Sequence, residues 1–161
     1  MQTLSFKIAR KLSSKEIRQK IRLELYNNHT SGLAADKLQA NIVILPSEYE
    51  NDFYKLAECD WVIEAIVERL DVKKALYQRL NETIHSGCIV SSNTSTIPIS
   101  LLVEDMPTDF RRRFAITHYF NPVRYMRLLE LVKGEETTTD VINRLADYND
   151  HVLGKGVVKC A

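Results

Sequence analysis

"DWVIEAIVERLDVKKALYQRLNETIHSGCIVSS", residues 60–92, passes from a strand-like run to a helical stripe and back to a strand-like run. "DWVIEAIV" is apolar and rich in branched side chains, the pattern of a strand buried on both faces. Val72, Leu76, Leu80 and Ile84 then recur at intervals of four, which predicts a helix from Asp71 to Ile84, with Gly87 just past its end. "CIVSS" returns to a short apolar strand. Strand, helix and strand within about thirty residues is the pattern of a βαβ unit, whose two strands must run parallel.

Working outward, the same alternation continues. The second strand runs into "SSNTST" (91–96), a polar shelf at the strand's C-terminal end, where parallel sheets place their ligands. Pro98 suits the first turn of a short helix, and Thr96 is placed to cap it. "FAITHYF" and "LLELV" are two further strands joined by a loop around Pro122. A helix from Thr138 to Leu153 stops at Gly154, and "GVVKC" is a last strand. Upstream, "NIVIL" (41–45) is a strand ended by Pro46, followed by a helix near Glu48 to Ala57. Ser13 with Glu16 has capping-box spacing, so a helix from about Ser14 to Tyr26 is expected. Leu4, Phe6 and Ile8 alternate as a strand would, and "NNHTSG" marks a loop within residues 27–40. Strands alternating with helices specify an α/β domain with a mostly parallel sheet.

Composition narrows the function classes. Twenty-two basic and 21 acidic residues leave a net charge of +1, which gives no reason to expect nucleic acid or an anionic membrane as partner. The "RRR" at 111–113 reads as a solvated helix end, with a phosphate-bearing ligand as the minority alternative. No apolar stretch reaches the roughly 18 residues that span a bilayer, so a cytoplasmic location is expected. Residues 1–15 carry basic and no acidic side chains and superficially resemble a mitochondrial presequence, although a solvated helix accounts for them equally. Cys59, Cys88 and Cys160 share no metal spacing and read as reduced thiols.

Two side chains carry chemistry. His118 ends the apolar strand of "ITHYFNP", and Glu130 is a carboxylate inside the apolar run "LLELV". Isolated burial of either charge is expensive, so each needs a partner or a wet edge. Twelve residues separate them, enough for one strand to end and the next to return alongside it. A carboxylate that holds an imidazole fixes its tautomer and raises its basicity, which is how a general base is built.

"DWVIEAIVERLDVKK", "IVSSNTSTIPI", "THYFNP" and "LLELVKG", in this order and spacing, resemble the NAD-binding domain of the L-3-hydroxyacyl-CoA dehydrogenases of fatty-acid β-oxidation. The likeness runs from about Asn41 to the end of the chain, with residues 1–40 as a helical N-terminal segment. It implies a Rossmann-like, doubly wound, mostly parallel sheet, NAD as cofactor and an acyl-CoA as substrate. By this resemblance His118 takes the 3-hydroxyl proton and Glu130 orients it, Ser95 bonds the substrate oxygen, and Asn121 holds the thioester side. Cofactor contacts are implied at Ala65, Glu68, Lys73 and Asn93.

The sequence departs from the family pattern at its start. Its five glycines, at 32, 87, 134, 154 and 156, form no G-x-G-x-x-G, and the acidic residue that meets the adenosine ribose is missing too. The family's first two strands are therefore expected to be missing, which would truncate the sheet, and the helical C-terminal domain is expected to be missing as well. Three readings follow: a segment of a dehydrogenase completed by other chains and inactive alone, a non-catalytic remnant, or a binding and assembly module for a partner or CoA. A gap between "NIVIL" and "DWVIEAIV" would expose strand edges, so self-association is expected.

Overall fold

A computed structural model describes residues 53–123 and 125–160. The expectations for residues 1–52, including "NIVIL", the helix after Ser13 and the gap that would drive self-association, lie outside the described residues. After a 3-10 turn at Phe53–Glu58, the elements run β1 (Trp61–Glu64), α1 (Leu70–Thr83), β2 (Ile89–Ser92), α2 (Ile99–Val103), α3 (Thr108–Arg112), β3 (Phe114–Tyr119), β4 (Leu128–Lys133), α4 (Thr139–Asp147) and β5 (Gly156–Cys160). The five strands lie in chain order, β1-β2-β3-β4-β5. Every neighbouring pair is parallel except β3 with β4. This is the mostly parallel, Rossmann-like α/β sheet that the strand and helix alternation predicts.

Alternation along the strands divides the core in two. Val62, Val90, Phe114 and Ile116 face α1, α2 and α3, where they meet Tyr77, Leu80, Leu102 and Phe110. Trp61, Ile63, Ile89, Ala115 and Leu131 face the opposite way, onto Val141, Ile142 and Leu145 of α4. Tyr77, Phe110 and Phe114 are fully buried, with ring centroids 5.1 to 6.1 Å apart. Such aromatic pairs add about 0.5 to 1.5 kcal/mol each beyond the burial of their area. None of the three cysteines is in a disulfide, Cys59 and Cys88 are buried, and burial pushes the Cys88 thiol up to about 12.

Several boundaries differ from the sequence reading for identifiable reasons. "DWVIEAIV" forms a strand only over Trp61–Glu64, because the Glu64 carboxylate accepts the Ile66 amide at 2.7 Å and turns the chain out of the sheet. The 48–57 segment, where described, is a 3-10 turn at Phe53–Glu58. The last helix is α-helical over Thr139–Asp147 and widens into a π turn at Tyr148–Val152, before Gly154 at φ 66° ends it. Its N-terminus is capped by Thr138, which accepts the Val141 amide. Thr96 does not cap α2. The helix has Pro98 at its N-cap and no side-chain cap, and the nearest hydroxyl bond, from the Ile97 amide to Thr94 at 3.2 Å, closes a turn just before it.

The arginine run is also not wholly solvated. Arg111 pairs with Glu136 at 2.9 Å, whereas Arg113 is buried and donates to the Cys88 carbonyl at 2.7 Å. It ties the start of β3 to that of β2. Among the described residues no helix is long and apolar enough to cross a membrane.

Candidate functional site

β1, β2 and β3 end on one edge of the sheet, and β4 starts there because it alone runs back along its neighbour. Open α/β sheets bind ligands at this edge. The turn after β1 brings Ala65 and Glu68 to it, β2 delivers Ser92 to Thr96, and β3 delivers His118 to Asn121. Glu130, two residues into β4, stands directly opposite His118 in the antiparallel register.

The paired residues touch. His118 Nδ1 lies 2.8 Å from Glu130 Oε2, with the two side chains 21% and 40% exposed. Glu130 fixes the ring through Nδ1, and Nε2 has no hydrogen-bond partner among the described residues. The imidazole also packs against Phe120, with centroids 4.5 Å apart, so its plane is constrained on two sides. An unpartnered Nε2 on a ring oriented by a carboxylate is equipped to exchange a proton with a bound molecule.

The polar shelf is organised by Glu68. Its Oε1 accepts the Thr94 hydroxyl, the Ser95 and Thr96 amides at 3.2 and 3.3 Å, and the Thr96 hydroxyl at 3.1 Å. Burial pushes this carboxylate's pKa up, but the Thr94 hydroxyl, the Lys73 ammonium and the Ser95 amide outweigh it and hold the group at about 2. Asn93 spans to the neighbouring strand, where its Oδ1 accepts the Tyr119 amide at 2.8 Å. The Asn93 side-chain amide nitrogen and the Ser95 hydroxyl have no partner among the described residues. They are therefore available to a bound molecule.

Lys73 lies beneath the shelf rather than on it, its side chain 1% exposed. Its ammonium donates to Glu64 at 2.7 and 2.9 Å and lies 3.3 Å from Glu68. Glu64 also accepts the Tyr77 and Ser92 hydroxyls, each at 2.7 Å. Burial first, and then the Glu64 charge, raise the Tyr77 phenol well above its ordinary pKa, so it remains a donor. The sequence reading passed over Glu64. The available signal was a carboxylate within the apolar run "DWVIEAIV", the same signal that singled out Glu130 in "LLELV".

The structure thus brings His118, Glu130, Asn93, Ser95, Glu68 and Ala65 to one edge, with Lys73 below them. Asn121 follows on the exposed β3–β4 loop, where its bond to Pro122 is cis. Among the described residues, no group of three or more His, Cys, Asp or Glu side chains is arranged to hold a metal ion.

Residues 6–161 match the family described as "3-hydroxyacyl-CoA dehydrogenase, NAD binding domain", so the likeness starts well before Asn41. The chain is 44% identical over 115 residues to a Bacillus subtilis protein named "Probable 3-hydroxyacyl-CoA dehydrogenase", covering 71% of this chain and 15% of that one. It is 43% identical over 111 residues to a Rickettsia felis protein that carries the name of a fatty acid oxidation complex trifunctional enzyme, covering 69% of this chain and 15% of the relative. The crystal structure of 3-hydroxybutyryl-CoA dehydrogenase from Escherichia coli superposes with a TM-score of 0.68 at 32% identity, over 89% of this chain and 29% of that one. The chain therefore spans less than a third of the length of each of these relatives.

Proposed function

The chain belongs to the 3-hydroxyacyl-CoA dehydrogenase family, matching its NAD-binding domain, and on that premise we propose that His118 and Glu130 form the general-base pair for oxidising an L-3-hydroxyacyl-CoA to the 3-ketoacyl-CoA in fatty-acid β-oxidation. The observation that carries this reading is the 2.8 Å contact between Nδ1 and Glu130, which leaves Nε2 unpartnered among the described residues. When bound, NAD supplies the hydride acceptor for C3 of the substrate. His118 Nε2 takes the proton from the 3-hydroxyl as the O–H bond breaks and C3=O forms, and Glu130 stabilises the imidazolium that results. Ser95 donates to the substrate oxygen, and Asn121 holds the thioester side. Asn93, Ala65 and Glu68 would hold the nicotinamide end of the cofactor, with the Asn93 amide as a donor. Lys73 acts through Glu68, whose carboxylate it holds in place.

The donors on the shelf fit the nicotinamide end of the cofactor and not its pyrophosphate. The connection from β1 to α1 is Ala65–Arg69, with no glycine, and α1 starts at Leu70 with Arg69 at its N-cap and no side-chain cap bond. Its backbone forms no Gly-rich cradle at a helix N-terminus. The 161-residue chain alone is accordingly proposed to bind NADH weakly, with a Kd above about 10 µM, or roughly 7 kcal/mol.

The test joins these residues to the remainder of a relative. A hybrid carrying the Gly-rich strand-turn-helix and the helical domain of the Escherichia coli relative should oxidise 3-hydroxybutyryl-CoA with NAD. His118→Gln in that hybrid should lower kcat by about 10²- to 10⁴-fold and leave NADH binding intact. A hybrid that turns over at its original rate with His118→Gln would sink the assignment of the base. Tight NADH binding by the 161-residue chain would refute the division of labour proposed for the cofactor.

A further inference from the structure

Lys155 is buried, 9% exposed, and it lies outside the shelf and the base pair. Its ammonium forms no ion pair among the described residues. Instead it donates to two backbone carbonyls of the β3–β4 loop, Val123 O at 2.5 Å and Met126 O at 2.9 Å. It also sits 5.8 Å above the centroid of the Tyr119 ring. Burying a cation without a carboxylate is costly, and only strong dipoles or an aromatic face offset that cost. An apolar side chain would fill the same space more cheaply. The ammonium is therefore kept for what it holds.

What it holds is the loop that carries Asn121. Around Lys155 the chain is fastened at several points: its own amide donates to Asn149 O at 2.9 Å, and the Gly156 amide donates to Arg127 O at 2.8 Å. Tyr119 donates its hydroxyl to Asn149 Oδ1 at 2.5 Å, and the Tyr119 amide is the one bonded to Asn93. The loop's own bonds, from the Tyr125 and Met126 amides to Pro122 O at 2.9 and 3.0 Å, close a turn just after the cis Asn121–Pro122 bond. Those two bonds lie within the turn and do not themselves fix it to the sheet. Lys155 does so, by bonding both Val123 and Met126 across the turn.

We infer that Lys155 is a positioning residue: its buried ammonium clamps the β3–β4 loop and so sets where Asn121 stands relative to His118. The link to substrate rests on the dehydrogenase reading above, whereas the clamp itself does not.

The test separates the two. In ¹H–¹⁵N spectra of the 161-residue chain, the Lys155 ammonium protons should exchange slowly and couple to the Val123 and Met126 carbonyl carbons. Lys155→Met should shift the amides of residues 120–127 while those of β1 and β2 stay in place, and Lys155→Arg should restore part of the original pattern. In the completed hybrid, Lys155→Met should raise KM for the acyl-CoA about tenfold or more, the size of one hydrogen bond to a charged group, with kcat within about threefold. An ammonium in fast exchange, or unmoved loop amides in Lys155→Met, would refute the clamp. Loop amides that move with no change in KM would leave the clamp standing and remove its link to substrate. Loss of the dehydrogenase reading would appear elsewhere, as undiminished turnover in His118→Gln.

Discussion

Glu64 and Glu130 are both carboxylates set in apolar strands, and the protein treats them in opposite ways. Glu64 is 3% exposed and accepts from the Lys73 ammonium, the Ile66 amide and the Tyr77 and Ser92 hydroxyls. Every direction from which it can accept is filled. Glu130 has a side chain 40% exposed and, among the described residues, one partner, the His118 ring. A carboxylate with every acceptor position filled is a fixed part of the frame, since moving it would strand several buried donors at once. One that keeps free acceptor positions at a wet edge has room to respond when its partner gains or loses a proton.

That contrast can be broken most directly at Glu64. Glu64→Gln removes the charge that compensates buried Lys73 and should cost about 3 to 5 kcal/mol, read as a lower urea midpoint at unchanged slope. Replacing both partners, with Glu64→Leu and Lys73→Met, should recover much of that loss. A Glu64→Gln cost below about 1 kcal/mol, the scale of a surface pair, would erase the distinction.

Thr94→Val probes the layer above. It removes the donor to Glu68 and the acceptor of the Ile97 amide, so a loss of about 1 to 3 kcal/mol is expected. Thermal melts at neutral pH would show it, and an unchanged melt would mean that solvent replaces both bonds.

Glu68 itself should produce a weaker effect confined to acid. Its pKa falls from 4.5 to about 2 on folding, so its contribution is fully present above pH 4.5 and is lost as the pH drops toward 2. With its side chain 37% exposed, solvent screens the effect. Glu68→Gln should flatten the decline in stability over that range, and an identical acid limb would count against the shelf as a charge-organised loop.

The smallest stability change belongs to Glu130. Glu130→Gln should move the unfolding free energy by less than about 1 kcal/mol, yet take most of the activity from the completed hybrid. If it destabilised the chain as much as Glu64→Gln, the two carboxylates would belong to one class after all.

The strands and the main helices were legible in the sequence because periodicity reports burial, and burial here follows the sheet faces. "FAITHYF" and "LLELV" gave β3 and β4 nearly residue for residue, and their separation predicted that His118 and Glu130 would meet. What local pattern could not show was polar chemistry assembled from distant elements. Glu64 looked like one polar residue in an apolar strand, because its partners come from α1 and β2. Lys155 drew no notice just after the helix stop at Gly154, since the carbonyls it bonds lie 29 and 32 residues earlier. Arg113 looked solvated, as part of a charged run, because its acceptor is a carbonyl 25 residues upstream.

The reversal of β4 along β3 has a further consequence, in how the site is inherited. His118 and Glu130 sit on neighbouring strands within 114–133, so a recombination break or insertion anywhere outside that interval passes the pair on whole. The shelf has no such safety. Its anchor spans Glu64 to Ser92 across a helix, and a break between them separates the frame from the loop it supports. Lineages that shuffle this domain should therefore lose the anchored shelf before they lose the histidine and its carboxylate, and relatives that keep the pair on an altered shelf are the descendants to look for.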